Sequence, residues 1–442
     1  MGQTQIPIPR QIIDEKLKNM SLPDIGRASI REIKKLTDQL EQQNGFKFIR
    51  MEMGVPGLKP NKLFAEAEID AIVNKGLTGT YPDIDGTPEL KKEISSFIKN
   101  FMNINISPAN CVPTVGSIHG GFASVLVSCR RYTNRDTHLF LDPGFPVHKQ
   151  MVKMMGVKQQ SLDVYNYRGK KLKDKLEELL SQGNISSILY SNPNNPTWIC
   201  FTEEELKIIG EAATRHDVVI IEDLAYFAMD FRRDYSQPGK APFCPSVANY
   251  TDNYIILISS SKAFSYPGQR IGMLALSDTL ALKHYPDLEK FFPKTQFAHS
   301  LIYGAIYATT AGTSHTAQYA LATVLREVNS GRYNFLNDVR EYGEKAKVIK
   351  NHFLYNGFKI VYDKDGEEDI ADGFYFTFCY PGFSGQELAQ TLIYYGISAI
   401  SLANTGATRT EGVRACISLI SWEQIPELGK RLQKFKEDHK TN

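Results

Sequence analysis

The sequence predicts an α/β protein with a mostly parallel sheet covered by helices, followed by a smaller α+β domain. Between about residues 137 and 277, short apolar runs alternate with stretches of helical periodicity, which is typical of a parallel sheet with helical crossovers. From about residue 330, one long amphipathic stretch precedes several short strands and a last helix. The 442 residues, 42% of them hydrophobic, are enough for two or three domains with buried cores.

Composition and charge exclude several classes of protein. The chain has 51 basic and 49 acidic residues and no long run of one sign, so nucleic acid or an anionic membrane is not the expected partner. The six cysteines form no Cys-x-x-Cys pair, and we expect reduced, mostly buried thiols and no metal site. The N-terminus lacks an apolar signal core and no stretch has 18 uninterrupted apolar residues, so we expect a cytoplasmic protein without a membrane span.

The N-terminal region predicts an arm, a helix, a strand and a turn. Residues 1–20 are polar with two prolines and look like an arm. The capping box at 29–32 begins a helix that ends near residue 45. Residues 46–53 predict a strand that stops at a tight turn containing Gly54, where backbone amides can come close to a ligand. Tyr81, taken alone, is expected to be a packed aromatic residue.

A glycine-rich segment at 116–121 leads into an apolar helix over 122–127. The start of such a helix offers free N–H groups and the positive end of the helix dipole, so an anion is favoured there. The segment is neither a Walker A loop nor a dinucleotide fingerprint, because it lacks both Gly-Lys-Ser/Thr and Gly-x-Gly-x-x-Gly. By itself it is a weak signal.

Five apolar runs are the predicted strands of the large sheet: 138–141, 187–190, 218–222, 254–258 and 271–276. In open parallel sheets, ligands bind at the carboxyl ends of the strands. Chemically distinctive residues follow these runs: Phe145, Asn195, Asp223, Tyr226, Ser259, Lys262 and Arg270. Each could be a turn, cap or core residue, but their joint placement at successive strand ends favours one common site.

Lys262 is the candidate nucleophile. An ammonium group where a sheet meets a loop is unfavourable unless it has a partner, and loss of its proton or a covalent imine is the usual resolution. Ser259 and Arg270 flank it and could hold a phosphate group, since the guanidinium fork binds phosphate oxygens in bidentate fashion. The alternative is an ordinary solvated surface lysine.

The C-terminal region predicts a long helix over 336–354 and capping boxes at 384–387 and 421–424. Its predicted strands are 358–362, 374–380, 397–400 and 413–418. Arg414 lies within the last of these strands. If that strand faces the cleft, the guanidinium is a carboxylate clamp, and otherwise it is a surface ion pair. We predict a large domain over 59–329 and a small domain built from 1–58 and 330–442.

Three motifs, read together and in this order, resemble the class I/II aminotransferases: Asn195-Pro196-Thr197, Asp223-x-x-Tyr226, and Ser259-x-x-Lys262 with Arg270. The resemblance extends from Gly54 to Arg414. It implies the three-layer αβα fold type I of transferases that depend on pyridoxal 5′-phosphate (PLP), with a smaller α+β domain.

The resemblance also implies roles for individual residues. Lys262 is the Schiff-base lysine, Asp223 the partner of the pyridine nitrogen, and Asn195 and Tyr226 the partners of the ring hydroxyl. The other cofactor contacts are Phe145, stacked on the ring, and the phosphate-binding residues Gly116, Ser117, Ile118, Ser259 and Arg270, with Tyr81 lent by the neighbouring subunit of a homodimer. Arg414 grips the substrate α-carboxylate, with Gly54 and Asn195 beside it.

Two segments depart from the family pattern. Trp198 stands where the family commonly has glycine after Asn-Pro-Thr, so the turn is expected to do without a glycine-like φ angle. Residues 401–408 lack the usual Pro-Gly and aromatic pattern before the arginine. Both departures concern the choice of substrate side chain.

The implied function is transfer of an amino group from an L-amino acid to a 2-oxo acid, by a ping-pong mechanism through an aldimine of Lys262. A PLP-dependent β-eliminating C–S lyase on the same fold is the alternative, which the sequence does not separate. A third possibility is a non-enzymatic sensing module of this fold in a transcription factor. It is disfavoured because the roughly 50 residues before Gly54 contain no basic patch.

Overall fold

A computed structural model describes residues 6–22 and 24–439. Its strands, in chain order, are β1 (Ile49–Arg50), β2 (Cys111–Thr114), β3 (Thr137–Asp142), β4 (Lys158–Asp163), β5 (Ile185–Ser191), β6 (Val219–Leu224), β7 (Tyr254–Ser259), β8 (Gly272–Leu276), β9 (Lys359–Ile360), β10 (Lys364–Asp365), β11 (Glu368–Asp369), β12 (Tyr375–Cys379), β13 (Ile397–Ser398), β14 (Ile400–Ser401) and β15 (Val413–Cys416).

The α-helices alternate with these strands. They are α1 (Arg10–Asn19), α2 (Ile30–Asn44), α3 (Lys62–Ile69), α4 (Pro88–Met102), α5 (Gly116–Ser128), α6 (Pro146–Met154), α7 (Lys171–Leu180), α8 (Glu203–His216), α9 (Ser260–Ala263), α10 (Asp278–Leu282), α11 (Phe297–His299), α12 (Tyr307–Thr310), α13 (His315–Asn329), α14 (Glu341–Tyr355), α15 (Gly385–Tyr394) and α16 (Ile425–Asp438). No helix in the described part of the chain is long and apolar enough to cross a membrane.

Seven strands form the large sheet in the order β2-β8-β7-β6-β5-β3-β4. Strand β8 runs antiparallel to β2 and β7, and the other neighbours are parallel, so the prediction of a mostly parallel sheet is confirmed. The carboxyl ends of β3 to β7 therefore lie along one edge of the sheet. The five predicted strands are all present, with bounds that shift by one or two residues.

Helices cover both faces of this sheet, as a three-layer αβα fold requires. Alternate residues of a strand point to opposite faces. On β6, Ile220 packs in the core that contains α8, whereas Ile221 packs in the separate core that contains α5. The same alternation holds for Ile256 and Leu257 of β7.

The C-terminal region forms a second, antiparallel sheet in the order β14-β15-β12-β9, against which α14 and α15 pack. Strand β1, from the N-terminal region, pairs in parallel with β13, so the two ends of the chain lie together. This pairing favours the predicted small domain, whose boundaries remain a prediction.

Several local predictions were wrong. Residues 1–5 of the predicted arm lie outside the described residues, and the remainder, 6–20, contains helix α1, because Ile13 and Leu17 lie one turn apart on a buried face. Residues 46–53 form only the two-residue β1, and the predicted helix over 336–354 begins at Glu341.

The edge strands β2 and β4 were missed. Strand β2 contains a proline, which an edge position tolerates because the missing N–H faces no neighbour. Strand β4 is mostly polar, so it carries no run of apolar residues. The predicted thiols are confirmed: all six cysteines are free, and five are buried.

Candidate active site

Lys262 lies at the end of the central strand β7. Ser259 caps the short helix α9 by accepting a hydrogen bond from the amide of Ser261 (3.1 Å), which turns the chain and aims Lys262 back across the sheet edge. The Nζ atom donates to the carbonyl oxygen of Gly54 (2.5 Å) and lies 5.4 Å from the ring centre of Phe374. Burial lowers the pKa of this amine to about 8. About a tenth of this amine is therefore unprotonated and nucleophilic at pH 7.

Asp223 lies on β6, the strand next to β7. Its carboxylate is buried and accepts a hydrogen bond from the amide of Ala225 (3.2 Å), and burial raises its pKa to about 7. Its Oδ2 lies 3.8 Å from Nε2 of His148, whose own burial lowers the imidazole pKa to about 4. The imidazole is therefore neutral at pH 7. Within the described ranges no side-chain nitrogen of a lysine or arginine lies within 4.0 Å of the Asp223 carboxylate oxygens, so this carboxylate fits a ligand that brings its own N–H or positive charge.

Tyr226 follows Asp223 by three residues and is buried. Its hydroxyl lies 2.6 Å from the hydroxyl of Tyr375 on β12, and burial raises its pKa well above the ordinary value for tyrosine. The ring also packs edge-on against Trp198, with ring centroids 5.2 Å apart, and lies tilted against Phe374 at 5.3 Å. Tyr226 thus stays a protonated hydroxyl held between the large domain and the C-terminal sheet.

Arg414 is buried on β15 and points into the same region. Its Nη1 donates to Oδ1 of Asn195 (3.3 Å) and its Nη2 to the carbonyl oxygen of Glu52 (2.5 Å), while the ring of Tyr375 lies 4.8 Å from the guanidinium carbon. Its Nε is buried without a hydrogen-bond partner. Among residues 6–22 and 24–439 no carboxylate forms an ion pair with it. A buried cation with a spare donor fits a carboxylate supplied by a ligand.

The start of helix α5 faces Arg270. Gly116 has a φ of +71°, and a Cβ there would lie 2.5 Å from Nη2 of Arg270, so only glycine lets the guanidinium approach the helix N-terminus so closely. Gly272 is the first residue of β8 and pairs with Ser259. A Cβ on Gly272 would lie 2.7 Å from the amide nitrogen of Ser117, so the two backbones pass close to each other. Ile118 lies partly buried in the first turn of α5. Free helix amides beside an exposed guanidinium make a cradle for a phosphate group.

Two predicted residues lie at the margin of this group. Phe145 caps α6 and is half-buried, with its ring 5.6 Å from that of His148. Tyr81 is 94% exposed, which shows that the expectation of a packed aromatic residue was wrong for the single chain.

Trp198 corrects a prediction about the Asn-Pro-Thr turn. Its φ is +68°, so the turn keeps a glycine-like backbone although a bulky residue stands there. The indole is fully buried against Gly373, where any Cβ would overlap the ring, and it packs edge-on against Tyr226 and Tyr375. Its contacts compensate for an unfavourable backbone conformation.

Sequence reasoning missed His148, Tyr375 and the carbonyl of Glu52. His148 follows Phe145 by three residues in the first turn of α6, and that spacing was the available signal. Tyr375 begins an apolar strand and reads as core. A backbone carbonyl leaves no trace in the residue types at all.

A separate cavity of about 470 Å³ lies between the loops after β5 and β6 and the hairpin at 365–368. None of the candidate residues lines it. The candidate site is therefore identified by its charged and polar side chains and not by the size of this cavity.

Comparison with known proteins identifies the family. The family model "Aminotransferase class I and II" matches residues 47–432. A "Probable aspartate aminotransferase" of Methanocaldococcus jannaschii is 25% identical over 78% of this chain and 82% of its own length. "Aromatic-amino-acid aminotransferase 2" of Thermococcus litoralis is 23% identical over 92% and 96%. A crystal structure of an aminotransferase from Mycobacterium tuberculosis has a TM-score of 0.75 at 17% identity, over 93% and 96% of the two chains.

The fold and these matches define a PLP-dependent transferase of fold type I. The chain belongs to the class I and II aminotransferases. The residues present fit PLP: an amine whose pKa is lowered to about 8 by burial, a buried carboxylate without a lysine or arginine partner in the described part of the chain, and a glycine and arginine cradle at a helix start.

Proposed function

We propose that this enzyme moves the amino group of an L-amino acid to a 2-oxo acid by a ping-pong mechanism. The observation that carries the proposal is the partly buried amine of Lys262, in the short helix α9 that follows β7, the strand beside the one that holds Asp223. When bound, PLP supplies an aldehyde that condenses with an amine and an electron sink that stabilises negative charge on the substrate Cα.

Lys262 has two tasks in this proposal. It holds PLP between turnovers, and once the substrate amine replaces it, the free amine carries the proton to and from Cα. A pKa near 8 suits the second task, because the amine can both accept and return a proton near neutral pH. The Gly54 carbonyl orients Nζ while it does so.

The surrounding residues bind and orient. Asp223 would accept a hydrogen bond from the protonated ring nitrogen of PLP, and Phe145 would lie against the ring. The phosphate group would be held by Gly116, Ser117, Ile118, Ser259 and Arg270. Because Oδ1 of Asn195 accepts from Arg414, its Nδ2 is the group left to donate to the ring hydroxyl oxygen. Tyr226 donates to the same oxygen. Arg414 binds the substrate α-carboxylate beside Gly54 and Asn195.

We also propose a cytoplasmic homodimer in which Tyr81 reaches the phosphate of the partner's PLP. The exposure of Tyr81 in the single chain supports this role, since an exposed tyrosine of this size is available to a second subunit. The six free cysteines support a reducing compartment.

Lys262→Ala tests the proposal. The PLP-loaded wild-type protein should show a visible absorption band that depends on the Lys262 amine, together with amino transfer between a panel of amino acids and 2-oxo acids. The variant should lose the band and at least about 10³-fold of the transfer rate. Lys345→Ala is the matched control, because Lys345 is also buried and donates to a backbone carbonyl, that of Ile420, away from the site.

Three outcomes would contradict the proposal. A protein that stays colourless with PLP, or a Lys262→Ala variant with wild-type transfer, would exclude the assigned lysine. Release of pyruvate and ammonia from cystathionine without transfer to an oxo acid would replace transamination by β-elimination.

A further inference from the structure

Tyr375 contacts both Arg414 and Tyr226 in the candidate site. It lies on β12, diagonally across from Arg414 on β15, since Arg414 pairs with Thr377 and Tyr375 lies two residues further along. Its ring covers one face of the Arg414 guanidinium at 4.8 Å, and its hydroxyl lies 2.6 Å from that of Tyr226. A Cβ on Gly54 would overlap the same hydroxyl, so this oxygen also lies against the residue that holds Lys262.

The position of this phenol is fixed from the other side. The indole of Trp198 packs edge-on against the rings of Tyr226 and Tyr375, with centroids 5.2 and 6.1 Å away. The two phenol rings are themselves nearly perpendicular at 5.4 Å. All three side chains are buried, so the two hydroxyls have little freedom to find other partners.

We propose that Tyr375 is a positioning residue that donates its hydroxyl proton to the oxygen of Tyr226 and so strengthens Tyr226 as a donor to the ring hydroxyl oxygen of PLP. The inference rests on the proposed function, in which Tyr226 donates to PLP. A hydroxyl has one proton to give, so the Tyr226 oxygen is then free to accept, and Tyr375 is the donor in the pair. Hydrogen bonds arranged in such a chain polarise and strengthen one another.

The ring and the hydroxyl of Tyr375 have different tasks. The hydroxyl acts on the cofactor through Tyr226, whereas the ring stabilises the Arg414 guanidinium by a cation–π contact. Removing the hydroxyl alone should therefore change the cofactor and leave carboxylate binding unchanged. Removing the ring as well should weaken both.

The measurement is a pH titration of the visible absorption of the PLP-loaded dimer, which reports the protonation of the chromophore and not its turnover. Tyr375→Phe should raise the chromophore pKa by about one unit, because the anion of the ring hydroxyl loses part of its stabilisation. It should leave the dissociation constant of a carboxylate inhibitor unchanged. Tyr375→Leu should show the same pKa shift and weaken the inhibitor about 3- to 10-fold.

Tyr362→Phe is the matched control. Tyr362 is also a fully buried phenol of the C-terminal region, and its hydroxyl donates to Asp163 (2.8 Å), away from Tyr226. Its removal should leave the chromophore pKa at the wild-type value. In a Tyr226→Phe background, Tyr375→Phe should have no further effect, because the residue acts through Tyr226.

The outcomes separate this inference from the proposed function. If the wild-type protein titrates normally and neither Tyr375 variant shifts the chromophore pKa, Tyr226 donates to Tyr375 and the inference is wrong while the proposed function stands. An equal shift with and without Tyr226 would also overturn it. A wild-type protein without a chromophore would remove the proposed function itself.

Discussion

Oδ2 of Asp223 lies 3.8 Å from Nε2 of His148, and burial shifts the pKa values of the two groups in opposite directions. The pKa of the carboxyl rises to about 7 and that of the imidazole falls to about 4. At pH 7 the imidazole of the pair is therefore neutral, and the carboxyl group is close to half ionised. Such a carboxyl group can accept a hydrogen bond from a protonated ring nitrogen, because the neutral imidazole beside it offers no competing positive charge.

The raised pKa of Asp223 predicts a pH-dependent stability of the cofactor-free protein. Between pH 4 and 7 the folded state holds a proton that the unfolded chain has lost, so ionisation of Asp223 lowers the free energy of unfolding as pH rises. Asp223→Asn removes this effect. We expect the variant to match the wild type near pH 4 and to exceed it by up to about 4 kcal/mol at pH 7.5.

Urea unfolding of the cofactor-free proteins at several pH values checks this prediction. The neutral His148 contributes a change of opposite sign between pH 4 and 6.5 in both proteins, so the comparison is read above pH 6.5, where His148 no longer titrates in either state. Asp174→Asn, on the exposed face of α7, should run parallel to the wild type. Parallel curves for Asp223→Asn as well would show that burial does not raise this pKa.

Arg414→Lys should weaken substrate binding. Lysine cannot reproduce the fork that reaches Asn195, the Glu52 carbonyl and a carboxylate together, so we expect KM for the amino acid to rise about 10²-fold. Steady-state kinetics with one amino donor measures the change. The control is Arg409→Lys, since Arg409 is only partly buried and bonds to the carbonyl of Val361. Equal effects from both substitutions would contradict the role of Arg414.

Substitutions of Trp198 should reveal its backbone conformation. Trp198→Ala removes a fully buried indole and should lower the free energy of unfolding by about 3–5 kcal/mol. Trp198→Gly should cost about 1 kcal/mol less, because glycine adopts a φ of +68° without strain.

Chemical unfolding of the two Trp198 variants shows which of them has the higher free energy of unfolding. Ala213→Gly, in the interior of helix α8, should show the reverse preference and lower stability by about 1 kcal/mol. A Trp198→Gly variant less stable than Trp198→Ala would mean that residue 198 does not need the left-handed conformation.

Tyr81→Phe should weaken PLP binding without destabilising the chain. Loss of one hydrogen bond to a phosphate should raise the PLP dissociation constant about 10- to 100-fold. Fluorescence titration of the cofactor-free protein measures this constant, and Tyr355→Phe, at another highly exposed tyrosine, should leave it unchanged. An unchanged constant in Tyr81→Phe would exclude Tyr81 from the phosphate site.

The sequence predicted the large sheet because its central strands, such as Tyr254–Ser259, are buried on both faces and are therefore continuous apolar runs. It missed Lys158–Asp163, whose polar residues lie at the exposed edge. In the site, Asp223, Tyr226 and Lys262 were predictable because the strand ends that carry them share one edge of the sheet.

By itself, then, the sequence determined that Lys262 and Asp223 each follow a continuous apolar strand whose carboxyl end lies at one edge of the sheet. It did not reveal β2, the strand that leads into Gly116. Only the tertiary structure decided the Tyr226–Tyr375 pair, the Arg414 bond to the Glu52 carbonyl and the conformation of Trp198. The physical reason is distance along the chain. Tyr226 and Tyr375 are 149 residues apart, and nothing in either local pattern encodes the packing that brings their hydroxyls together.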